Sequence, residues 1–156
     1  MRRTGLSELA TIFALVTVVG YLLVRSFYGS LPPLHYYTAV PIAALALIEL
    51  VQARRVRAAV GHDPDAKLMT AIAIARLVAL GRASALAAAA IAGALVALLI
   101  RVIPDAGDVR AAGNDLRAAS VVLAATILLL VAGLLLEAAG IDPSRRDGPG
   151  PPVGNR

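Results

Sequence analysis

The sequence predicts an all-α membrane protein, a four-helix transmembrane bundle whose helices run up-down-up-down. The 156 residues are 59% hydrophobic and only 16% charged. Their mean hydropathy is +0.79, so a soluble domain of this size could not bury its apolar residues. Those residues fall into four blocks, each close to the roughly 20 residues that cross a hydrocarbon layer as a helix. Turn residues and charges separate the blocks. Because each block has the length of a membrane span, a bilayer is the natural solvent for this chain.

The first block begins like a signal peptide, because Arg2 and Arg3 precede an apolar run. The run does not end in a small-x-small cleavage site, and Arg25 follows it. We therefore predict an uncleaved first span over about residues 8–26. The polar limits of this span, Glu8 and Arg25, are about 25 Å apart along a helix.

A turn over residues 29–33, Gly-Ser-Leu-Pro-Pro, ends the first span because paired prolines cannot continue a helix. The second span is predicted over about 36–53 and ends at the basic cluster of residues 54–57, Arg-Arg-Val-Arg. Three tyrosines flank the turn at headgroup depth, where amphipathic rings are favoured. An aromatic ligand cage is the alternative role for these rings. The tyrosines are Tyr28, Tyr36 and Tyr37.

An interfacial helical extension is predicted before the third span. We place Asp63 as its N-cap and Pro64 as its first helical residue. The third span follows over about 82–103, and its basic limits, Arg82 and Arg101, are about 28 Å apart along a helix. No breaker stronger than an isolated glycine interrupts this stretch.

The fourth span is predicted over about 116–137, after a polar loop in which residues 113–115, Gly-Asn-Asp, cap the helix that follows. The four spans form one transmembrane domain over residues 1–141. The remaining residues, 142–156, are rich in proline, glycine and charge, so we predict a disordered tail.

The charges predict the orientation and the partners. Placing both termini and the loop between the second and third spans on one side puts eleven of the 15 basic residues there. The positive-inside rule makes that side cytoplasmic. The chain has a net charge of +5 and a pI near 10.4. Its basic residues flank the apolar blocks and are not interleaved with aromatic residues, as they would be on a soluble surface that binds nucleic acid. The predicted partners are the bilayer and its anionic headgroups, not nucleic acid. Four basic residues remain on the other side: Arg25, Arg101, Arg110 and Arg117.

Five ionisable residues are predicted to lie near the cytoplasmic boundary as an interfacial charge network. Glu49 lies about 7 Å inside that boundary and has no basic residue at i+3 or i+4, so we expect its partner on another helix. The five form a proton or ion relay, an anionic-substrate site at the cytoplasmic mouth, or a ring of ion pairs and snorkelling side chains that fixes helix depth. We favour the ring because none of the five lies at the midplane. They are Glu8, Glu49, Arg76, Arg82 and Glu137.

The third span carries a small residue at every fourth position, which makes a candidate helix-packing ridge. Small side chains at this spacing let another helix approach closely, and close approach drives association in lipid. We expect the ridge to pack within the bundle, with a homodimer contact as the alternative. Its residues are Gly81, Ala85, Ala89, Gly93 and Ala97. A second repeat runs through Ser84, Ala88 and Ala92.

Three segments in this order resemble a family of small four-span actinobacterial membrane proteins known only as a domain of unknown function. They are Tyr-Leu-Leu-Val-Arg at 21–25, Tyr-Gly-Ser-Leu-Pro-Pro-Leu at 28–34, and Ala-Arg at 75–76 with Arg-Ala-Ser-Ala-Leu at 82–86. The resemblance covers most of the chain apart from the tail, and it implies a multi-pass protein of the bacterial plasma membrane. Members are often encoded near folate-synthesis genes, and the family implies no catalytic residues.

No pattern in the sequence carries catalytic chemistry. The chain has no cysteine, Gly-rich phosphate loop, nucleophile elbow or zinc-protease motif. The predicted topology puts His35 and His62 on opposite sides of the membrane, where they cannot share a metal. We predict a protein without enzymatic activity, cofactor or metal, an accessory or scaffold component that acts through helix-helix contacts with a membrane partner or a second copy. A small oligomeric transporter or channel is the alternative, and a membrane enzyme ranks third.

Overall fold

The structure is a computed structural model that describes residues 5–30, 32–61 and 69–140. Within these ranges the chain forms four α-helices and no β-strand, and each helix is long and apolar enough to cross a membrane. The prediction of an all-α bundle with four transmembrane helices is confirmed. The predicted cap at Asp63 and Pro64 and the predicted tail over 142–156 lie outside the described residues.

The four helices are α1 (Leu6–Phe27), α2 (Ala39–Val60), α3 (Ala71–Val102) and α4 (Arg110–Ala139). The spans predicted over 8–26 and 116–137 lie inside α1 and α4. The span predicted over 36–53 starts three residues before α2, and the span predicted over 82–103 ends one residue after α3, but both helices extend well beyond the other predicted limit. α2 runs through the basic cluster at 54–57 to Val60, since arginine is a good helix former. α3 begins at Ala71, where the hydroxyl of Thr70 accepts a hydrogen bond from the N–H of Ala73 at 3.3 Å.

α4 begins at Arg110, so the prediction that residues 113–115 cap this helix is wrong. Its N-cap is Val109, which has an extended backbone and no side-chain cap. The N–H of Gly113 already donates to the carbonyl of Val109 at 3.0 Å. The isolated glycine does not end the helix because its cost there is only about 1 kcal/mol. Asp115 therefore lies on the side of a helix, and its carboxylate bonds to another part of the chain.

The helices pack side by side in the order α1, α3, α4, α2. α1 is parallel to α3, since Leu9 packs with Ala85 near one end and Gly20 lies against Ala97 near the other. α4 is antiparallel to α3 and parallel to α2. The two helices of the first hairpin, α1 and α2, are thus separated by the second hairpin. They occupy the two ends of the row, and each has one strongly packed side.

Small side chains make up most of the buried contacts between helices, and many of the large hydrophobic side chains lie outside. Three buried clusters stack between α2, α3 and α4, and a fourth joins α1 to α3; alanine is their commonest residue. Small residues let helices approach closely and gain van der Waals contact, which drives association where lipid is as apolar as the protein. Leu15, Leu22, Ile48 and Ile127 are among the exposed large hydrophobics.

The two ends of the bundle carry different groups. The Ser30 end holds the segment between α1 and α2 and the turn between α3 and α4. It includes short 3-10 turns at Tyr28–Ser30 and Tyr36–Thr38. The Gly61 end holds the first turns of α1 and α3 and the last turns of α2 and α4. The predicted charge network belongs to the Gly61 end.

Candidate functional site

Glu49 is fully buried in α2, with 0% of its surface exposed. Its Oε1 accepts a hydrogen bond from the hydroxyl of Ser84 on α3, a residue that is also buried. Its Oε2 is buried as well and has no hydrogen-bond partner among the described residues. A buried carboxyl group with an unsatisfied oxygen is costly in a bilayer. This polar pair, which joins two helices inside the bundle, is the first candidate site.

Sequence reasoning includes Ser84 as a small residue in the second repeat and misses it as the partner of Glu49. Glu49 and Ser84 lie on two different helices, so their spacing along the chain carries no signal. One signal was present: Ser84 is the only hydroxyl-bearing residue in the span predicted over 82–103. It is therefore the only uncharged side-chain donor that this span could offer to a buried carboxyl group.

Glu8 and Arg82 form an ion pair at the same end of the bundle. One guanidinium nitrogen of Arg82 lies 3.4 Å from both carboxylate oxygens of Glu8. Both side chains are substantially exposed, at 44% for Arg82 and 43% for Glu8, so the pair contributes at most about 1 kcal/mol. Its geometry links the start of α1 to α3 in the same parallel register that the apolar contacts give.

The remaining members of the predicted network lie apart from this ion pair. Glu137 is buried near the end of α4, with 7% of its surface exposed. Its backbone nitrogen lies against Gly81, 3.1 Å from the position a Cβ would occupy there. Arg76 is exposed and makes no ion pair with a residue of the described ranges. The structure thus joins Glu8 to Arg82 directly and gives Glu49 a separate, uncharged partner.

The candidate ridge of α3 is buried along its whole length, and two different helices cover it. At Gly81 a Cβ would lie 2.7 Å from the carbonyl oxygen of Gly133 on α4, too close for any side chain. At Gly93 a Cβ would lie 2.7 Å from the carbonyl oxygen of Phe13 on α1. Backbone therefore meets backbone at both glycines. The ridge contacts its own bundle, and sequence reasoning missed its counterpart, Gly133.

The sequence matches a known protein family. The family model described as protein of unknown function (DUF3180) matches residues 9–143. The chain belongs to this family. The match covers all four helices apart from the first residues of α1, so the DUF3180 match and the four-helix fold describe the same part of the chain. No curated protein and no solved structure matches it.

At the Ser30 end of the DUF3180 chain, Asp115 forms hydrogen bonds between segments. From the sequence, this residue is predicted to be part of a helix cap. Oδ2 of Asp115 accepts a hydrogen bond from the hydroxyl of Tyr28 at 2.8 Å, and Oδ1 accepts one from the N–H of Leu34 at 3.3 Å. Arg101 lies over the Tyr28 ring, 5.3 Å from its centroid, and pairs with Asp105. Asp115 thus ties α4 to both sides of the turn between α1 and α2.

The described part of the DUF3180 chain contains no group of three or more metal-ligating side chains. His35 lies at the Ser30 end, where its ring stacks on that of Tyr37 with centroids 4.9 Å apart. His62 lies outside the described residues. The predicted network at the Gly61 end consists of carboxyl and guanidinium groups, and the hydroxyl of Ser84 is the partner of Glu49. Such groups can hold helices together by hydrogen bonds and ion pairs.

Proposed function

We propose that this DUF3180 chain is a non-enzymatic accessory or scaffold component that recognises a membrane partner through helix-helix contacts. The observation that carries the proposal is the one-sided packing of α1. A backbone approach joins α1 to α3, and Leu9 is the one buried residue within the helix. The opposite side of α1 offers a complete transmembrane face to another helix.

The free face of α1 has the shape that helix pairing in lipid requires. A shallow groove runs along it, lined by Ala10, Thr11, Ala14, Leu15, Val18 and Val19. Ala10 and Ala14 are one helical turn apart, which lets a neighbouring backbone come close. Leu15 and Val18 are both 62% exposed and would flank a helix lying in the groove. In the proposed function, this groove is the recognition surface.

The alternative, a small oligomeric transporter or channel, requires Glu49 or Arg82 to face an aqueous pathway. Glu49 is fully buried and accepts from Ser84, and Arg82 is paired with Glu8. The backbone contact at Gly81 closes the space between α3 and α4 at this depth. These observations favour the accessory role over a pathway inside one copy.

The proposed location is the plasma membrane of an actinobacterium, with both termini in the cytoplasm. The support is the excess of basic residues at the Gly61 end, where α2 carries Arg54, Arg55 and Arg57. Anionic headgroups of the cytoplasmic leaflet would attract this end and fix the depth of the bundle.

Photo-crosslinking in native membranes tests the proposed recognition surface. Benzoylphenylalanine incorporated at Ala14 is expected to give crosslinks to protein, either a partner or a second copy, because this side chain faces the groove. The matched control is Ile127, which lies in the middle of α4 and is 52% exposed outside the groove. Crosslinks to lipid alone at Ala14, or equal protein crosslinking at both positions, contradict the proposal.

A second test separates the accessory role from the transporter. We expect Glu49→Gln to lower expression or stability, since it places an amide N–H₂ where the buried Oε2 has no partner among the described residues. The measurements are membrane expression, thermal unfolding in detergent, and proton-coupled flux in reconstituted vesicles. A variant that folds like the wild type but loses a flux the wild type shows would replace the accessory role with the transporter.

A further inference from the structure

A cleft of about 820 Å³ opens at the Ser30 end, separate from the charged groups of the Gly61 end. Its walls are the 3-10 turn that follows α1, the segment that leads into α2, and the first three turns of α4. This volume lies within the range of ligand sites, roughly 300–1,000 Å³. The cleft lies between α4 and the segment that connects α1 to α2. Neither the family match nor the proposed function uses it.

The upper part of the cleft offers a cation that no described residue neutralises. Arg117 lines it, is exposed, and forms no ion pair within the described ranges. The carboxylate of Asp115 also lines the cleft, but both of its oxygens accept hydrogen bonds from the wall, from Tyr28 and Leu34. Asp115 keeps its negative charge, but these two bonds hold its carboxylate against the wall, and Arg117 is the cationic group in the lining. Guanidinium is well matched to phosphate oxygens.

The rest of the cleft is apolar and runs along α4 toward the middle of that helix, where Val121 is 50% exposed. Leu34, Ala118 and Val121 line it, and most of the lining surface is apolar. Val121 lies one helical turn deeper than Arg117, about 6 Å along the axis. A ligand with a phosphate above and a hydrocarbon chain below meets both parts, whereas a soluble phosphate meets only the first.

We propose that this cleft binds a phospholipid from the leaflet at the Ser30 end, with its phosphate at Arg117 and an acyl chain along Val121. Basic pockets between transmembrane helices hold lipid headgroups in this way. The aromatic rings of Tyr28 and Tyr36, both in the lining, lie at the depth where amphipathic rings meet headgroups. This inference does not depend on which partner α1 contacts.

Lipid binding to the purified full-length chain tests the proposal. Phosphatidylglycerol is titrated into the protein in a maltoside detergent, and native mass spectrometry counts the lipids retained. We expect Arg117→Gln to weaken retention about tenfold, as loss of a charge-assisted hydrogen bond predicts. The control Arg110→Gln removes the same charge from the first turn of the same helix but does not line the cleft, so its retention should stay within about twofold of wild type.

Two further measurements, one on a second cleft variant and one with inorganic phosphate, complete the test. Val121→Trp fills the apolar part of the cleft and should also weaken retention, which decides the matter if Arg117→Gln does not fold. Inorganic phosphate at millimolar concentration should not displace the lipid. Equal losses for Arg117→Gln and Arg110→Gln would show non-specific attraction to surface charge, and full displacement by phosphate would show a soluble-anion site. Either result overturns the proposal, as does unchanged retention in both cleft variants.

Discussion

At Glu49, one hydrogen bond from Ser84 offsets part of the cost of burying a carboxyl group. The rest of that cost is not offset among the described residues, since Oε2 has no partner there. A protein retains such a group either for stability or for specificity, by fixing which helices face each other. Here the hydrogen bond joins α2 to α3, which otherwise approach each other at few points. We infer that the pair sets the rotation of α2 within the bundle.

Ser84→Ala should lower the free energy of unfolding by about 1–3 kcal/mol, because it leaves both oxygens of a buried carboxyl group without a described partner. The measurement is thermal or denaturant unfolding of the purified protein in detergent. Ser120→Ala is the matched control. Ser120 is exposed, and its hydroxyl bonds only to the carbonyl of Leu116 on its own helix. Equal effects of the two substitutions would contradict the role assigned to Ser84.

At the scale of elements, α3 is the helix on which the bundle is assembled. The ridge is a single repeat of small residues in the sequence, but it packs against two helices. It contacts α4 at Gly81 and α1 at Gly93. The reason is helix geometry: a step of four residues turns about 40° beyond a full turn, so Gly81 and Gly93 point about 120° apart. A repeat of this kind winds around the helix and can face two neighbours in succession.

Gly81→Ala should separate α3 from α4 and lower the free energy of unfolding by about 1–3 kcal/mol, the usual cost of overpacking. The added methyl group would lie 2.7 Å from the carbonyl oxygen of Gly133, and a backbone atom cannot move away cheaply. Gly107→Ala is the control, since nothing lies within 4 Å of the position its Cβ would take. The midpoints of thermal unfolding for the two variants give the comparison. A Gly81→Ala variant as stable as the control would exclude close backbone packing at this point.

The helix order α1, α3, α4, α2 makes the whole molecule an open row of helices. The two helices at the ends of the row, α1 and α2, do not pack against each other. An open row leaves much apolar surface on α1 and α2 facing outward, which only lipid or another membrane protein can cover. The same topology puts Ser30 and Gly61 at opposite ends, because α2 lies between them.

Cysteines introduced by Ser30→Cys and Gly61→Cys test the topology in a chain with no native cysteine. Both positions are exposed. We expect a membrane-impermeant maleimide added to intact cells to label Ser30→Cys, and to label Gly61→Cys only after the cells are opened. Labelling of both from the same side would contradict the four-span topology, and the reverse pattern would contradict the cytoplasmic assignment of the termini.

The sequence by itself determined the four transmembrane helices of this protein. A bilayer leaves no water for backbone groups, so each apolar block must satisfy its hydrogen bonds internally as a helix. This requirement acts within each segment, and composition alone is enough to locate it. The sequence also predicted a helix-packing ridge over residues 81 to 97 of α3, because small residues at a helical spacing are a local pattern too.

Only the tertiary structure decided which helices meet. Many alanine and leucine faces are nearly equivalent in packing energy, so the choice depends on contacts between distant segments. That choice divided the ridge between α1 and α4 and paired Glu49 with Ser84. It also made Asp115 a link between α4 and the segment that connects α1 to α2, instead of a helix cap. The local sequence pattern determines which residues of a helix could form contacts, whereas the shape of the neighbouring helix determines which of them do.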